Sequence, residues 1–178
     1  MQTVKNFINE IINSFDGSIN IPYERLLAEY NAVVRELSLM LPDADGCEVC
    51  VSKNKKLECL LLPAQIRRVF FGENELLRAS KSLMDILNDT MLYYADKDGI
   101  YVNVDGEYKV YFRTVPANVN VGDATSTVCE DGLTNMLLRA YLQRAIFMFI
   151  GDTVSAECYT KEYNSLLDDY KKQNGVRE

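Results

Sequence analysis

Apolar residues recur at steps of three and four positions near both ends of the chain, which is the spacing of one buried helix face. The first two stripes are separated by a short connection ending at Pro22, a residue suited to the first turn of a helix. The last two stripes are separated by Gly151, a residue typical of a helix C-terminus, and Asp152, a residue typical of an N-cap. We therefore predict four helices, at about residues 3–15, 22–40, 131–150 and 153–172.

The pattern changes between these helix pairs to short runs in which apolar and polar residues alternate, which is typical of strands. Tyr108, Val110 and Phe112 alternate with polar neighbours, and the Asp-Gly turns around them suit hairpins. Residues 43–56 are polar and predict a loop or a hairpin tip. We therefore expect an α+β fold in a single domain, 1–178: a helical bundle of two N-terminal and two C-terminal helices, with a small antiparallel β-sheet inserted at about 57–116.

The third long helix differs from the others because its C-terminal half is apolar on nearly every side. A helix that is apolar all round is usually buried. We therefore predict that residues 131–150 form the central helix of the bundle.

Composition excludes several classes of function. The 178 residues are 48% hydrophobic and 25% charged, as in folded chains, and they carry a net charge of −7 without any histidine. Catalytic triads, Cys-His dyads and histidine-ligated metals are therefore excluded, and a phosphate-tracking nucleic-acid surface is disfavoured. Asn6, Asn9 and Glu10 interrupt the N-terminal apolar stretch, and no apolar run is long enough to span a bilayer. We expect a soluble protein that is made in the cytoplasm and has no membrane partner.

The five cysteines offer one motif, Cys47-x-x-Cys50, which has the spacing of redox and zinc-binding pairs. A zinc site would need two further ligands, and Cys59 is the only nearby candidate. The redox interpretation would need a strand-to-helix junction, whereas this pair lies between an Asp-Gly turn and a lysine-rich stretch. Reduced structural thiols are therefore favoured over zinc or redox chemistry.

No other motif predicts catalysis. Asp43-x-Asp45-Gly46 and a similar stretch ending at Gly99 match only part of a calcium loop, and turn chemistry explains Asp-Gly equally well. Phosphate-binding and nucleophile-elbow motifs are missing from the sequence, and its carboxylate pairs lie in polar stretches. We therefore predict a protein that is not an enzyme, with no catalytic residue, no metal site and no cofactor.

Tyrosine content points instead to an interface. The chain has eleven tyrosines and no tryptophan, and tyrosine is enriched where subunits meet because its ring is buried while its hydroxyl stays wet. A half-exposed helix packing face would explain the same pattern. The polar C-terminal tail suits an arm that becomes ordered on docking. The predicted interface residues are Tyr141, Tyr159, Tyr163, Tyr170, Lys171, Lys172 and Arg177.

Three stretches resemble a known family. They are LLLPAQIRRV at 60–69, the strand-like MLYY, GIYV and YKVYF within 91–112, and LLRAYLQRA followed by YTKEYNSL within 137–166. In order and residue pattern they are similar to the head-to-tail adaptor proteins of the phage neck. That family includes the tail-tube-A-like adaptors of short-tailed phages and related neck rings of crAss-like phages.

The resemblance implies a structural virion protein of the neck. Such a head–tail connector forms a ring of twelve copies below the portal protein, extends the DNA channel and joins further neck or tail proteins. Packaged DNA would pass through without sequence-specific binding. One alternative stays open: a non-enzymatic bacterial or viral protein-interaction module, which would be a monomer or dimer without affinity for a portal.

Overall fold

A computed structural model describes residues 2–15, 20–87, 91–129 and 131–176. The chain divides into two compact units. The helical unit comprises Met1–Met40 and Pro116–Glu178, and the barrel unit is the continuous segment Leu41–Val115.

The described residues contain five helices and seven strands. The helices are α1 (Val4–Asn13), α2 (Tyr23–Met40), α3 (Lys81–Leu87), α4 (Gly132–Ile150) and α5 (Thr153–Gln173). The strands are β1 (Gly46–Lys53), β2 (Lys56–Leu57), β3 (Ile66–Phe71), β4 (Asn74–Arg78), β5 (Leu92–Asp96), β6 (Gly99–Val102) and β7 (Glu107–Phe112). Within this described part, none of the helices combines the length and the apolar composition that a membrane crossing requires.

The helical unit is built around α4, which packs against α1, α2 and α5. Its core is formed by the apolar stripes that predict the helices, because each stripe places its side chains on one face. Gly151 ends α4 in the left-handed conformation, with φ of 79°, and Asp152 caps α5. The fully buried side chains include Phe7, Ile8, Ile11, Val33, Leu137, Leu142 and Ile146.

The barrel unit is a closed sheet with the strand order β1-β2-β6-β5-β4-β3-β7, and β7 pairs back onto β1. Every pairing is antiparallel except that of β4 with β5, where α3 lies in the connection between the two parallel strands. The inward-facing side chains fill the interior, as expected for a small barrel. They include Cys50, Leu57, Ile66, Val69, Leu76, Tyr93, Ile100, Val102, Tyr108 and Val110.

The predicted fold class, a helical bundle with a small inserted antiparallel sheet, is wrong: the structure has a closed seven-stranded barrel and five helices. The strand that closes the barrel, β1, lies in a segment predicted as a loop or hairpin tip. Its hydrophobic pattern is inverted, because polar Glu48 and Ser52 lie on the inward-facing side whereas Val49 and Val51 are exposed. Ser52 is satisfied there by the turn before β7, since its hydroxyl accepts a hydrogen bond from the Gly106 N–H at 2.8 Å.

Candidate functional site

The four tyrosines predicted as interface residues lie on α4 and α5 but differ in exposure. Tyr163 and Tyr170 are buried, whereas Tyr141 and Tyr159 are half-buried. Tyr163 meets Tyr141 edge-to-face with ring centroids 5.3 Å apart, and Tyr159 stacks on Phe147 at 5.4 Å. These rings pack within the helical unit, so only Tyr141 and Tyr159 retain appreciable surface for a partner. Their role in an interface stays a prediction.

The basic residues predicted for the same interface lie at the end of α5. Lys171 is half-buried, and Lys172 is exposed with its Nζ 3.6 Å from the Asp169 carboxylate. Both belong to the last turn of the helix, which continues to Gln173. Arg177 lies outside the described residues.

Tyr141 also borders a groove of about 290 Å³ between α2 and α4. Its hydroxyl donates a hydrogen bond to the Glu29 carboxylate at 3.2 Å. Burial, followed by the Glu29 charge, raises the pKa of Tyr141. Arg144 lies over the Tyr141 ring at 5.4 Å, and Arg25 lies over the Phe149 ring at 4.4 Å. In the groove, each of these guanidinium groups therefore covers a ring face of the same unit.

Exposed apolar side chains are concentrated at the C-terminal end of α4, where Met148 and Phe149 also line the groove. Met148, Phe149, Ile150 and Val154 are 59%, 40%, 45% and 73% exposed around the turn from α4 to α5, and we call them the turn cluster. The apolar character of α4 on all sides predicts a central, buried helix. Instead, one side of α4 is buried and apolar residues at its C-terminal end face water. The apolar residues on all sides of α4 are visible in the sequence, but burial within the helical unit explains only those on one side.

In the barrel unit, the Cys47-x-x-Cys50 motif does not form a pair. Side chains three positions apart on a strand point to opposite faces, and here Cys47 is exposed whereas Cys50 is buried. Cys50 instead lies beside Glu48 and Cys59, and the ligand atoms of all three lie within 4.8 Å of one another. Burial is the main cause that raises the pKa of the Cys50 thiol, which donates to a Glu48 carboxylate oxygen at 3.1 Å.

In both calcium-like stretches, hydrogen bonds within the barrel unit engage an aspartate carboxylate. The Asp45 carboxylate accepts hydrogen bonds from the Thr114 N–H at 2.6 Å and from its hydroxyl at 2.7 Å. The Asp96 carboxylate accepts from the Asp98 N–H at 2.8 Å and the Tyr94 hydroxyl at 3.0 Å. These hydrogen bonds lower the pKa of both aspartates. The Asp96 carboxylate thus forms an Asx turn, whereas the Asp45 carboxylate links the residues before β1 to those after β7.

A cleft of about 400 Å³ on the barrel unit completes the set of candidate surfaces. Tyr94 and Tyr101 stack at its wall with ring centroids 6.0 Å apart, and Lys55 and Lys81 also line it. It contains carboxylates and amines, but Asp96 is already engaged by the hairpin turn. The cleft can accommodate a small polar molecule, and its geometry indicates no particular chemistry.

No protein-family model and no curated protein matches this chain. What it does must therefore be inferred from its own residues. Two features go beyond what folding alone requires: the turn cluster of the helical unit, and the cluster of Glu48, Cys50 and Cys59 in the barrel unit.

Proposed function

We propose that the chain is a structural virion protein, a head–tail connector that assembles as a ring of twelve copies in the phage neck. The ring would dock below the portal protein, extend the DNA channel and join tail components, after synthesis of the subunit in the host cytoplasm. The observation that carries the proposal is the turn cluster, which suits a contact between neighbouring subunits.

The turn cluster places four large apolar side chains within residues 148–154 at the surface of one unit. Single exposed apolar residues are ordinary, whereas four large ones within seven positions are a concentration of the kind that interaction sites show. A second copy that covered them with a different surface would make a heterologous interface, which closes into a ring when the rotation per subunit allows it. The half-buried rings of Tyr141 and Tyr159 lie on the same two helices and suit the same interface.

The correction of the fold changes what supports the resemblance to neck adaptors. The strand-like segments within 60–112 belong to a closed barrel and not to a small open sheet. These segments therefore no longer support the resemblance. The proposal therefore relies on the C-terminal segment, where α4 and α5 are joined at Gly151 and Asp152. The net charge of −7 is compatible with a channel, because like charge opposes adhesion of DNA during its passage.

The test is the mass of the assembled protein, measured by size-exclusion chromatography with light scattering. It is run on the chain alone and mixed with the portal protein of the same genome. Val154→Asp places a charge in the turn cluster, and the first turn of α5 tolerates an acid because of the helix dipole. The matched control, Asn164→Asp, adds the same charge at an exposed position of α5 outside the turn cluster.

We expect a ring, or a stable high-mass complex with the portal, for the wild type and Asn164→Asp. Val154→Asp should weaken the association about tenfold or more, which corresponds to about 1.4 kcal/mol. A wild-type protein that stays a monomer or dimer and does not bind the portal protein would contradict the connector proposal and favour a protein-interaction module. Equal association of both variants would show that the turn cluster is not the interface.

A further inference from the structure

We propose that the barrel unit binds one Zn²⁺ ion through the Sγ atoms of Cys50 and Cys59 and a carboxylate oxygen of Glu48. We call these three residues the thiol cluster. Neither the spacing of the cysteines nor the predicted neck function points to this set, because it forms only when β1 and the segment after β2 lie side by side.

The strand register explains why the two sulfurs meet. β1 pairs with β2 so that Ser52 is opposite Leu57, and the Glu58 N–H donates to the Val51 carbonyl at 2.9 Å. Continuing this register by two residues from the Ser52–Leu57 pair places Cys59 directly opposite Cys50. Side chains directly opposite each other on antiparallel strands have Cβ atoms about 5 Å apart. The backbone pairing therefore brings the two thiols together.

The third ligand follows from strand alternation. Glu48 and Cys50 are two positions apart on β1, so their side chains project on the same side. The Cys50 Sγ already lies 3.1 Å from a Glu48 carboxylate oxygen. Cys47 and Lys53, at the alternate positions of the strand, point the other way and are exposed. A single side of one strand thus supplies two ligands, and the neighbouring segment supplies the third.

The distances suit a tetrahedral ion. All three donor atoms lie within 4.8 Å of one another. Zinc–sulfur bonds of about 2.3 Å and a zinc–oxygen bond of about 2.1 Å separate donors by roughly 3.5–3.8 Å in a tetrahedron. The present arrangement reaches that spacing with side-chain shifts of about 1 Å or less. Two thiolates and one carboxylate then face a dication, and the fourth position is left for water.

The site is enclosed on one side and accessible on the other. Cys50 is only 3% exposed and belongs to the barrel core, which holds its sulfur in place. Cys59 is half-buried and lines an open cleft of about 590 Å³ together with Lys53, Lys56 and Leu60. Lys53 forms an ion pair with Glu58 at 3.0 Å, which reduces its repulsion of a cation. The cleft therefore opens to solvent beside Cys59.

The experiment uses the full chain, fully reduced and stripped of metal with a chelator that is then removed. Co²⁺ is titrated first because thiolate ligation gives sulfur-to-metal charge-transfer absorption in the near ultraviolet and d–d bands in the visible. Zn²⁺ is then added to displace it. We expect one equivalent of Co²⁺ with tetrahedral thiolate bands, and loss of these bands when one equivalent of Zn²⁺ is added.

The variants assign the ligands. Cys59→Ser should lower Zn²⁺ affinity by roughly 100-fold, and Glu48→Gln by roughly 10-fold or more. The matched control is Cys47→Ser, which removes a thiol from the other side of the same strand and should leave affinity unchanged. Cys50→Ser could disturb the barrel core, so the half-buried Cys59 carries the test, with far-ultraviolet circular dichroism recorded for each variant.

Three outcomes would overturn the proposal. One is an absence of thiolate bands in the reduced wild type at millimolar Co²⁺. Another is full retention of Zn²⁺ affinity in Cys59→Ser. The third is a purified protein in which Cys50 and Cys59 form a disulfide and which takes up no metal after reduction. Ring assembly is not the readout, so this site and the connector function can fail separately.

Discussion

At the scale of single residues, Asp131 shows how one side chain fixes the beginning of a helix. Its carboxylate accepts hydrogen bonds from the Thr134 N–H at 2.8 Å and from the Thr134 hydroxyl at 2.7 Å. We expect Asp131→Ala to lower the free energy of unfolding by about 1 kcal/mol, as for other N-caps. Urea denaturation, monitored by the far-ultraviolet circular dichroism of the helices, measures the free energy of unfolding of both proteins.

The same cap predicts a dependence on pH. The Thr134 hydrogen bonds lower the pKa of Asp131 in the folded state. Its stabilisation is therefore complete above the unfolded pKa of about 3.9 and is lost as pH falls through the lower folded pKa. Asp131→Asn keeps a capping oxygen at every pH. The two proteins should have similar stability at neutral pH, and the variant should be the more stable in acid. An unchanged difference would contradict this role of the carboxylate.

The thiol cluster shows what linear spacing can and cannot reveal about a site. Spacing alone singles out Cys47 and Cys50, because they are three positions apart. Once residues 46–53 form a strand, alternation removes Cys47 and adds Glu48. The contribution of Cys59 depends on the register between two segments, which no spacing encodes. Sequence reasoning therefore identified both thiols as candidates but not their carboxylate partner.

At the scale of elements, α4 combines a core face with an exposed apolar face. Leu137 is fully buried, whereas its neighbour Met136 is 56% exposed. We expect Leu137→Ala to lower the free energy of unfolding by about 2–5 kcal/mol, because it leaves a cavity in the core. Met136→Ala is the matched control and should change it by less than about 0.5 kcal/mol. Equal effects of the two substitutions in urea denaturation would contradict the assigned faces of α4.

Periodicity predicts elements well where one face is apolar. The spacing of three and four positions predicts helices where the structure has α1, α2, α4 and α5, because each buries one face. The Asp-Gly turn at Gly99 likewise predicts the hairpin of β5 and β6. β1 was missed because its inward side is polar and its outward side carries valines. A pattern of alternating apolar residues cannot identify a strand such as β1, whose inward-facing side includes polar side chains that hydrogen bonds satisfy.

At the scale of the whole molecule, barrel closure is what the sequence could not reveal. The pairing of β1 with β7 joins Gly46 to Phe112, more than sixty positions apart, and no local pattern in either strand indicates that they pair. The parallel pairing of β4 with β5 spans a shorter stretch, from Leu77 to Leu92, but it depends on the crossover through α3. Local patterns specify which residues form strands, whereas closure depends on how distant strands match.

The proposed assembly also predicts a response to salt. Each copy carries a net charge of −7, so neighbouring copies repel one another, while the turn cluster is apolar and its burial does not weaken with ionic strength. Screening lengths fall below about 10 Å above 0.1 M salt. Self-association should therefore strengthen between about 0.05 and about 0.5 M NaCl, which sedimentation velocity measures. Val154→Asp should associate more weakly than the wild type at every salt concentration in this range, because its turn cluster carries a charge. Dissociation of the wild type on adding salt would indicate ion pairs across the interface in place of the turn cluster.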